Sequence, residues 1–254
     1  GDHMLNALEI YEILLAAYGR PRWWSDDAFT VMFQSVLVQN TTFSGVEKTC
    51  AAIGKRLTPQ YMERLSTQEL EELITPCGFY RAKARTIQAL IAWFRRYRFD
   101  PRGAQDVPTH DLRKELLAIR GIGAETADVI LVYAFYRPSF VIDAYTRRFL
   151  SRLGHSFSDD TAIREFMVSV LPRDARLYGW YHWLILDHCI SCCRKSPVCG
   201  ACPLREYCER PAAERETASP GRQEKICYNT ENIPPRRRTA FAADSGEIPP
   251  LHLP

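Results

Sequence analysis

Apolar residues recur along this chain at three- and four-residue spacing, and short clusters of Gly, Pro, Asn and Thr interrupt them. That period belongs to helices with one buried face. Over residues 5–19, Leu8, Tyr11, Leu14, Leu15 and Tyr18 share a face, and Arg20-Pro21 closes the segment. Residues 28–57 predict two helical segments meeting at Val38-Gln39-Asn40-Thr41-Thr42, and residues 67–98 predict two more, divided by Pro76-Cys77-Gly78. Leu112, Leu116, Leu117 and Ile119 form an apolar face before Gly121-Ile122-Gly123, and Val129, Ile130, Val132 and Tyr133 form another after it. Further helices are expected from Ala144 to Leu153, over about 159–170, and over 175–188. No stretch sustains the alternation of a strand, so the pattern predicts an all-α fold with short connections. The chain is long enough for one large domain or two small lobes.

Three places along this pattern carry candidate chemistry. In Gly121-Ile122-Gly123 two glycines let the backbone turn sharply and approach a ligand. The N–H groups at the mouth of the following helix suit phosphate, although a helix–helix turn with a C-cap glycine is an equal reading of these residues alone. Trp23-Trp24, directly after a helix stop, either packs a corner or lines a pocket for a flat ring. Cys192, Cys199, Cys202 and Cys208 lie close enough in sequence to close an all-thiolate site on one loop, and thiolate chemistry by itself suits either an iron–sulfur cluster or zinc.

Composition changes the picture little. A formal charge of +3 neither requires nor excludes nucleic acid. No apolar run approaches the ~20 residues that would span a bilayer, so no membrane partner is expected. Nine cysteines without a secretory signal point to reduced thiols or a metal site rather than a disulfide framework, and to a cytoplasmic protein. Gly1-Asp2-His3-Met4 reads as an expression scar. Residues 211–254, with Arg236-Arg237-Arg238 and repeated prolines, keep few periodic apolar positions and read as a tail.

The run L-x-x-I-x-G-I-G-x-x-T-A-D, an apolar helix, and then Val141-Ile142-Asp143 resembles the helix-hairpin-helix and following aspartate of the endonuclease III superfamily of DNA glycosylases. The resemblance implies two helical lobes, one formed by residues 5–27 with 138–210 and the other by 28–137. It implies that Gly121 and Gly123 grip a DNA phosphate and that Asp143 serves the chemistry at the sugar of a flipped nucleotide. Asp143 also reads as the N-cap of the next helix, and the two roles are compatible. Gln39-Asn40-Thr41 resembles the segment that fills the gap left by the extruded base, with Asn40 the first assignment and Gln39 the second. Gly78-Phe79-Tyr80-x-x-Lys83-Ala84 resembles an element near the DNA, so Lys83 and Arg81 are candidates for phosphate contact, or else surface charges. The spacing Cys192-x6-Cys199-x2-Cys202-x5-Cys208 resembles the superfamily's [4Fe-4S] loop, which implies that cluster ahead of zinc; Cys193 competes with Cys192 but does not give the x6 spacing. The implied partner is double-stranded DNA with a damaged base, bound by a monomer in the nucleoid of a bacterium or archaeon.

Members that cleave the strand carry a lysine after the hairpin, and here that position is Glu125. A carboxylate cannot form an imine, so hydrolysis with weak or absent lyase activity is expected. Glu125 either touches the base or only completes a helix N-terminus. Trp23, Trp24, Phe43, Glu125 and Tyr145, read with the motifs above, resemble the 3-methyladenine DNA glycosylase III branch, which acts on alkylated purines. The cysteine loop departs from that branch. A bifunctional enzyme acting on damaged pyrimidines, and a protein that binds damage without cutting it, are the competing expectations.

Overall fold

The computed structural model describes residues 4–208; the expected tail lies outside them. All regular elements among the described residues are helical. They fall into two compact units.

The first unit comprises, among the described residues, 4–23 and 140–208. It holds helices α1 (Ala7–Tyr18), α9 (Ala144–Arg152), α10 (Asp160–Val168) and α11 (Ala175–Ser191), the helices being numbered along the whole chain. Asn6 and Glu9 form a reciprocal capping box at the start of α1, with bonds of 2.8 and 2.9 Å. α11 is apolar almost all round, with Leu177, Tyr178, Trp180, Tyr181, Trp183, Leu184, Ile185 and Leu186 buried, as a helix enclosed by others requires. α1 and α9 pack on it. The Tyr181 hydroxyl donates to the Ala7 carbonyl at 2.6 Å, and its ring lies 5.1 Å from that of Tyr11. This close approach turns the face of α1: Ala7, Ile10, Tyr11 and Leu14 are buried, whereas Leu8, Leu15 and Tyr18, expected in the core, are half-buried.

The second unit comprises, among the described residues, 24–139. Its helices are α2 (Ala28–Leu37), α3 (Phe43–Ile53), α4 (Pro59–Arg64), α5 (Thr67–Ile74), α6 (Tyr80–Arg95), α7 (Thr109–Leu117) and α8 (Ala124–Val129), the last continued by a π-helical turn, Ile130–Ala134. Asp27, Thr42, Thr58 and Ser66 each accept a backbone N–H at the start of a helix, which fixes where α2 to α5 begin. The apolar face of α2 packs on the π turn and on α6. Leu112 and Leu116 enter the core, but Leu117 is exposed, because the helix turns it one position past the buried stripe.

Candidate functional site

In the second unit the sequence Gly121-Ile122-Gly123 links α7 to α8, and its glycines differ. Gly121 has φ +94°, and a Cβ there would lie 2.1 Å from Thr86 Oγ1. That hydroxyl donates to the Arg120 carbonyl at 2.9 Å and to Ala82 at 3.1 Å, so α6 and the hairpin meet through a contact with no space for a side chain. Gly123 is extended, is exposed, and would place a Cβ in open space. The fold therefore demands the first glycine and leaves the second clear. Glu125 sits half-buried in the first turn of α8.

The predicted wedge segment is tied to this hairpin. Gln39 Nε2 donates to the Gly121 carbonyl at 3.1 Å and to Thr126 Oγ1 at 3.0 Å. Asn40, next to it, is exposed in a left-handed conformation, φ +54°. Lys83 points inward instead of toward solvent: it is 4% exposed, and its ammonium donates to the carbonyls of Leu37 at 2.7 Å and Cys77 at 2.8 Å. Burial brings its pKa down to about 8. Its ammonium thus ties the end of α2, just before the predicted wedge segment, to the turn at Cys77. Arg81 is exposed.

Trp24 is half-buried; its Nε1 donates to Gln34 Oε1 at 2.9 Å, and its ring lies 6.1 Å from Phe43, edge on, and 5.5 Å from Tyr133. Phe43 is buried. Two residues of this unit lay inside the quoted motifs without being assigned a role. Phe79 follows Gly78, has φ +47° and is 64% exposed, an aromatic ring held outward on strained backbone. Asp128 is buried, bonded by Arg113 at 2.9 Å and by Ser139 at 2.6 Å, and locks α7 to α8.

In the first unit Asp143 is the N-cap of α9, as expected. Its Oδ1 accepts from the Thr146 N–H at 2.9 Å and from Thr146 Oγ1 at 3.1 Å. Its Oδ2 lies 2.9 Å from His182 Nε2, in the middle of α11. The carboxylate is 1% exposed and the imidazole 0%. Burial acts to raise the Asp143 pKa, but the His182 hydrogen bond, with the Thr146 donors, outweighs it and holds the carboxyl below its ordinary range. His182 was not singled out in the sequence, where a histidine between Tyr181 and Trp183 reads as core. Tyr145 is buried, with the Arg148 guanidinium 5.3 Å from its ring. Trp23 is half-buried in this unit.

The cysteine loop follows α11. Cys192, Cys199, Cys202 and Cys208 line one cavity, together with Cys193. Arg152 donates to the carbonyls of Cys193, Arg194 and Lys195 at 3.2, 2.6 and 3.1 Å, and Arg148 donates to Cys193 at 2.8 Å, so α9 holds the start of the loop. Among the described residues no three His, Cys, Asp or Glu side chains stand together at metal-holding distance. Four thiols converging on one cavity nevertheless fit a thiolate-held group. Arg194, Lys195 and Arg205 are exposed around it.

Comparison with known proteins bears on the family and the all-helical fold. The family model of HhH-GPD superfamily base excision DNA repair proteins matches residues 33–172. A candidate DNA repair glycosylase of Methanocaldococcus jannaschii is 39% identical over 207 residues, covering 79% of this chain and 94% of that protein. Endonuclease III of Treponema pallidum is 30% identical over 204 residues, covering 78% and 92%. Among solved structures, H. pylori 3-methyladenine DNA glycosylase bound to 1,N6-ethenoadenine has a TM-score of 0.61 at 26% identity, covering 72% of this chain and 96% of that one. A trapped endonuclease III–DNA covalent intermediate has a TM-score of 0.66 at 26% identity, covering 81% and 97%. No described helix is long and apolar enough to cross a membrane.

Proposed function

Because this chain belongs to the HhH-GPD superfamily of base excision DNA repair proteins, we propose that it is a DNA glycosylase that hydrolyses the N-glycosidic bond of an extruded damaged base, with little strand cleavage. An alkylated purine is the substrate class the reading favours. The observation that carries it is Asp143, a carboxylate buried yet held in its charged form by three hydrogen bonds.

In this reading the backbone N–H groups of the hairpin take a phosphate, Gly123 keeping the approach clear. Asn40 fills the gap in the duplex, and Phe79, exposed and pre-set by its backbone, enters the stack beside it. Trp24, with Trp23, Phe43 and Tyr145 as further candidates, offers aromatic surface to the base. As the glycosidic bond breaks, positive charge grows on the sugar, and the negative charge of Asp143 stabilises it. A carboxylate 1% exposed suits this electrostatic role better than direct deprotonation of water. Water supplies hydroxide to C1′ and the base leaves with the proton. Glu125, where an imine-forming enzyme needs an amine, supports hydrolysis over lyase chemistry. An alkylated purine already carries a weakened glycosidic bond, so extrusion and stacking suffice. The solved 3-methyladenine DNA glycosylase with ethenoadenine bound supports that class.

Cys192, Cys199, Cys202 and Cys208 would hold a [4Fe-4S] cluster, with zinc the alternative. Such a group would cross-link the loop at four points and so hold its basic residues, Arg194, Lys195 and Arg205, in place for phosphate. A brown protein with thiolate-to-iron charge-transfer absorption supports iron, and a colourless zinc protein overturns it.

The test is a panel of duplexes carrying alkylated, deaminated and oxidised bases, scored for free base and, with borohydride, for a covalent adduct. Release from alkylated purines without adduct supports the reading. Adduct formation on damaged pyrimidines supports the endonuclease III chemistry instead, and binding without release supports a damage-recognition protein.

A further inference from the structure

We infer that His182 is the positioning residue of Asp143, fixing the orientation of its carboxylate through a hydrogen bond delivered from α11; the functional part of this inference rests on the glycosylase reading above.

The geometry leaves Asp143 few alternatives. Its Oδ1 faces its own helix, where Thr146 donates twice, at 2.9 and 3.1 Å. Those bonds alone would let the carboxylate rock about its N-cap position. His182 Nε2, 2.9 Å from Oδ2, fixes the second oxygen and so the plane of the group. A carboxylate oxygen only accepts, so Nε2 carries the proton, and the tautomer is determined by its partner. Both side chains are more than nine-tenths buried, so no water competes for the bond. α9 and α11 pack directly, which makes the distance a property of two helices rather than of a loop.

The bond also bears on charge. A carboxylate removed from water takes up a proton readily unless donors offset the desolvation. Three donor hydrogens surround Asp143, and His182 supplies the one that comes from another helix. The other titratable group facing it from α11 is Cys189, whose thiol burial pushes well up, so it stays uncharged; Arg148, on α9, bears on that same cysteine. His182 thus joins the two Thr146 donors in favouring the ionised carboxylate, and it is the one of the three that comes from α11. Losing its N–H lets Asp143 protonate at higher pH and frees it to turn, whereas a side chain that returns an N–H to the same place preserves both.

Gln and Asn make that distinction. The Gln amide reaches the position of Nε2, and the Asn amide stops about one bond short of it. Uniformly folded His182→Gln, His182→Asn and His182→Phe proteins would be labelled with carboxyl-13C aspartate, the Asp143 resonance being assigned by its loss in Asp143→Asn. We expect the Asp143 midpoint to stay near the wild-type value in His182→Gln and to rise by about one pH unit or more in His182→Asn and His182→Phe. The acid limb of single-turnover base release should move by the same amount, a roughly tenfold loss below it with recovery at higher pH. A midpoint equal in all four proteins overturns the inference, as does a rate lowered evenly at every pH. Should His182→Phe not fold, the Gln–Asn pair decides the matter. If the wild type releases no base from any duplex, the glycosylase reading fails while the titration still decides the pairing.

Discussion

Lys83 in the second unit and Asp143 in the first are buried to nearly the same degree, 4% and 1% exposed, yet their surroundings treat them in opposite ways. Lys83 meets two backbone carbonyls, and burial draws its pKa down to about 8, toward the neutral amine. Asp143 meets three donors that outweigh the burial and keep it charged. A buried charge is expensive in either case. The lysine sits in a mostly dipolar setting that only fastens α2, whereas the aspartate has its charge preserved by side chains from two helices. That contrast separates a charge that only fastens structure from one that, in the proposed function, serves chemistry.

The hairpin glycines give the same contrast without charge, and the largest expected effect on stability. Gly121→Ala combines a left-handed backbone with an overlap at Thr86 and should destabilise the protein by at least ~2 kcal/mol, read from urea denaturation. Gly123→Ala meets open space and should change stability by less than about 0.5 kcal/mol while weakening duplex binding. Equal stability loss in both would break the comparison.

Lys83→Met removes the donor to Leu37 and Cys77 and should destabilise by ~1–3 kcal/mol. The salt dependence of DNA binding should keep its slope, because Lys83 neutralises no phosphate in this position. A slope reduced by about one unit would return Lys83 to the interface.

The smallest effects are the pH limbs. Between about 8 and 10.5 the unfolded chain holds the Lys83 proton that the folded chain has lost, so Lys83 makes unfolding free energy rise with pH there. Asp143 works at the other end: its folded pKa lies below the ordinary value, so its contribution is present above that value and is lost as pH falls through the folded one. Lys83→Met should remove the alkaline component alone and Asp143→Asn the acid one alone, as pH-dependent denaturation would show.

Much of this was legible in the sequence because it is local. The glycine hairpin and the capping aspartate each depend on residues a few positions apart, where spacing constrains geometry. What escaped was set by distant contacts. His182 lies 39 residues from Asp143 and shares no motif with it. Lys83 was assigned outward because a charge usually is, and only two carbonyls from separate segments turn it inward. Phe79 fails in the reverse sense, an aromatic ring left exposed by its backbone. Asn40 was placed ahead of Gln39 by position alone; the bonds that tie Gln39 to the hairpin run to residues more than eighty positions away and were not legible.

The central claim is that the charge of Asp143 stabilises the sugar from which a damaged base departs. It is tested most directly by single-turnover release of an alkylated purine by wild type and Asp143→Asn, with duplex affinity measured alongside. Asparagine is an equally good N-cap, so fold and binding should persist while release falls by ~100-fold or more. Equal release by the two proteins would contradict the account.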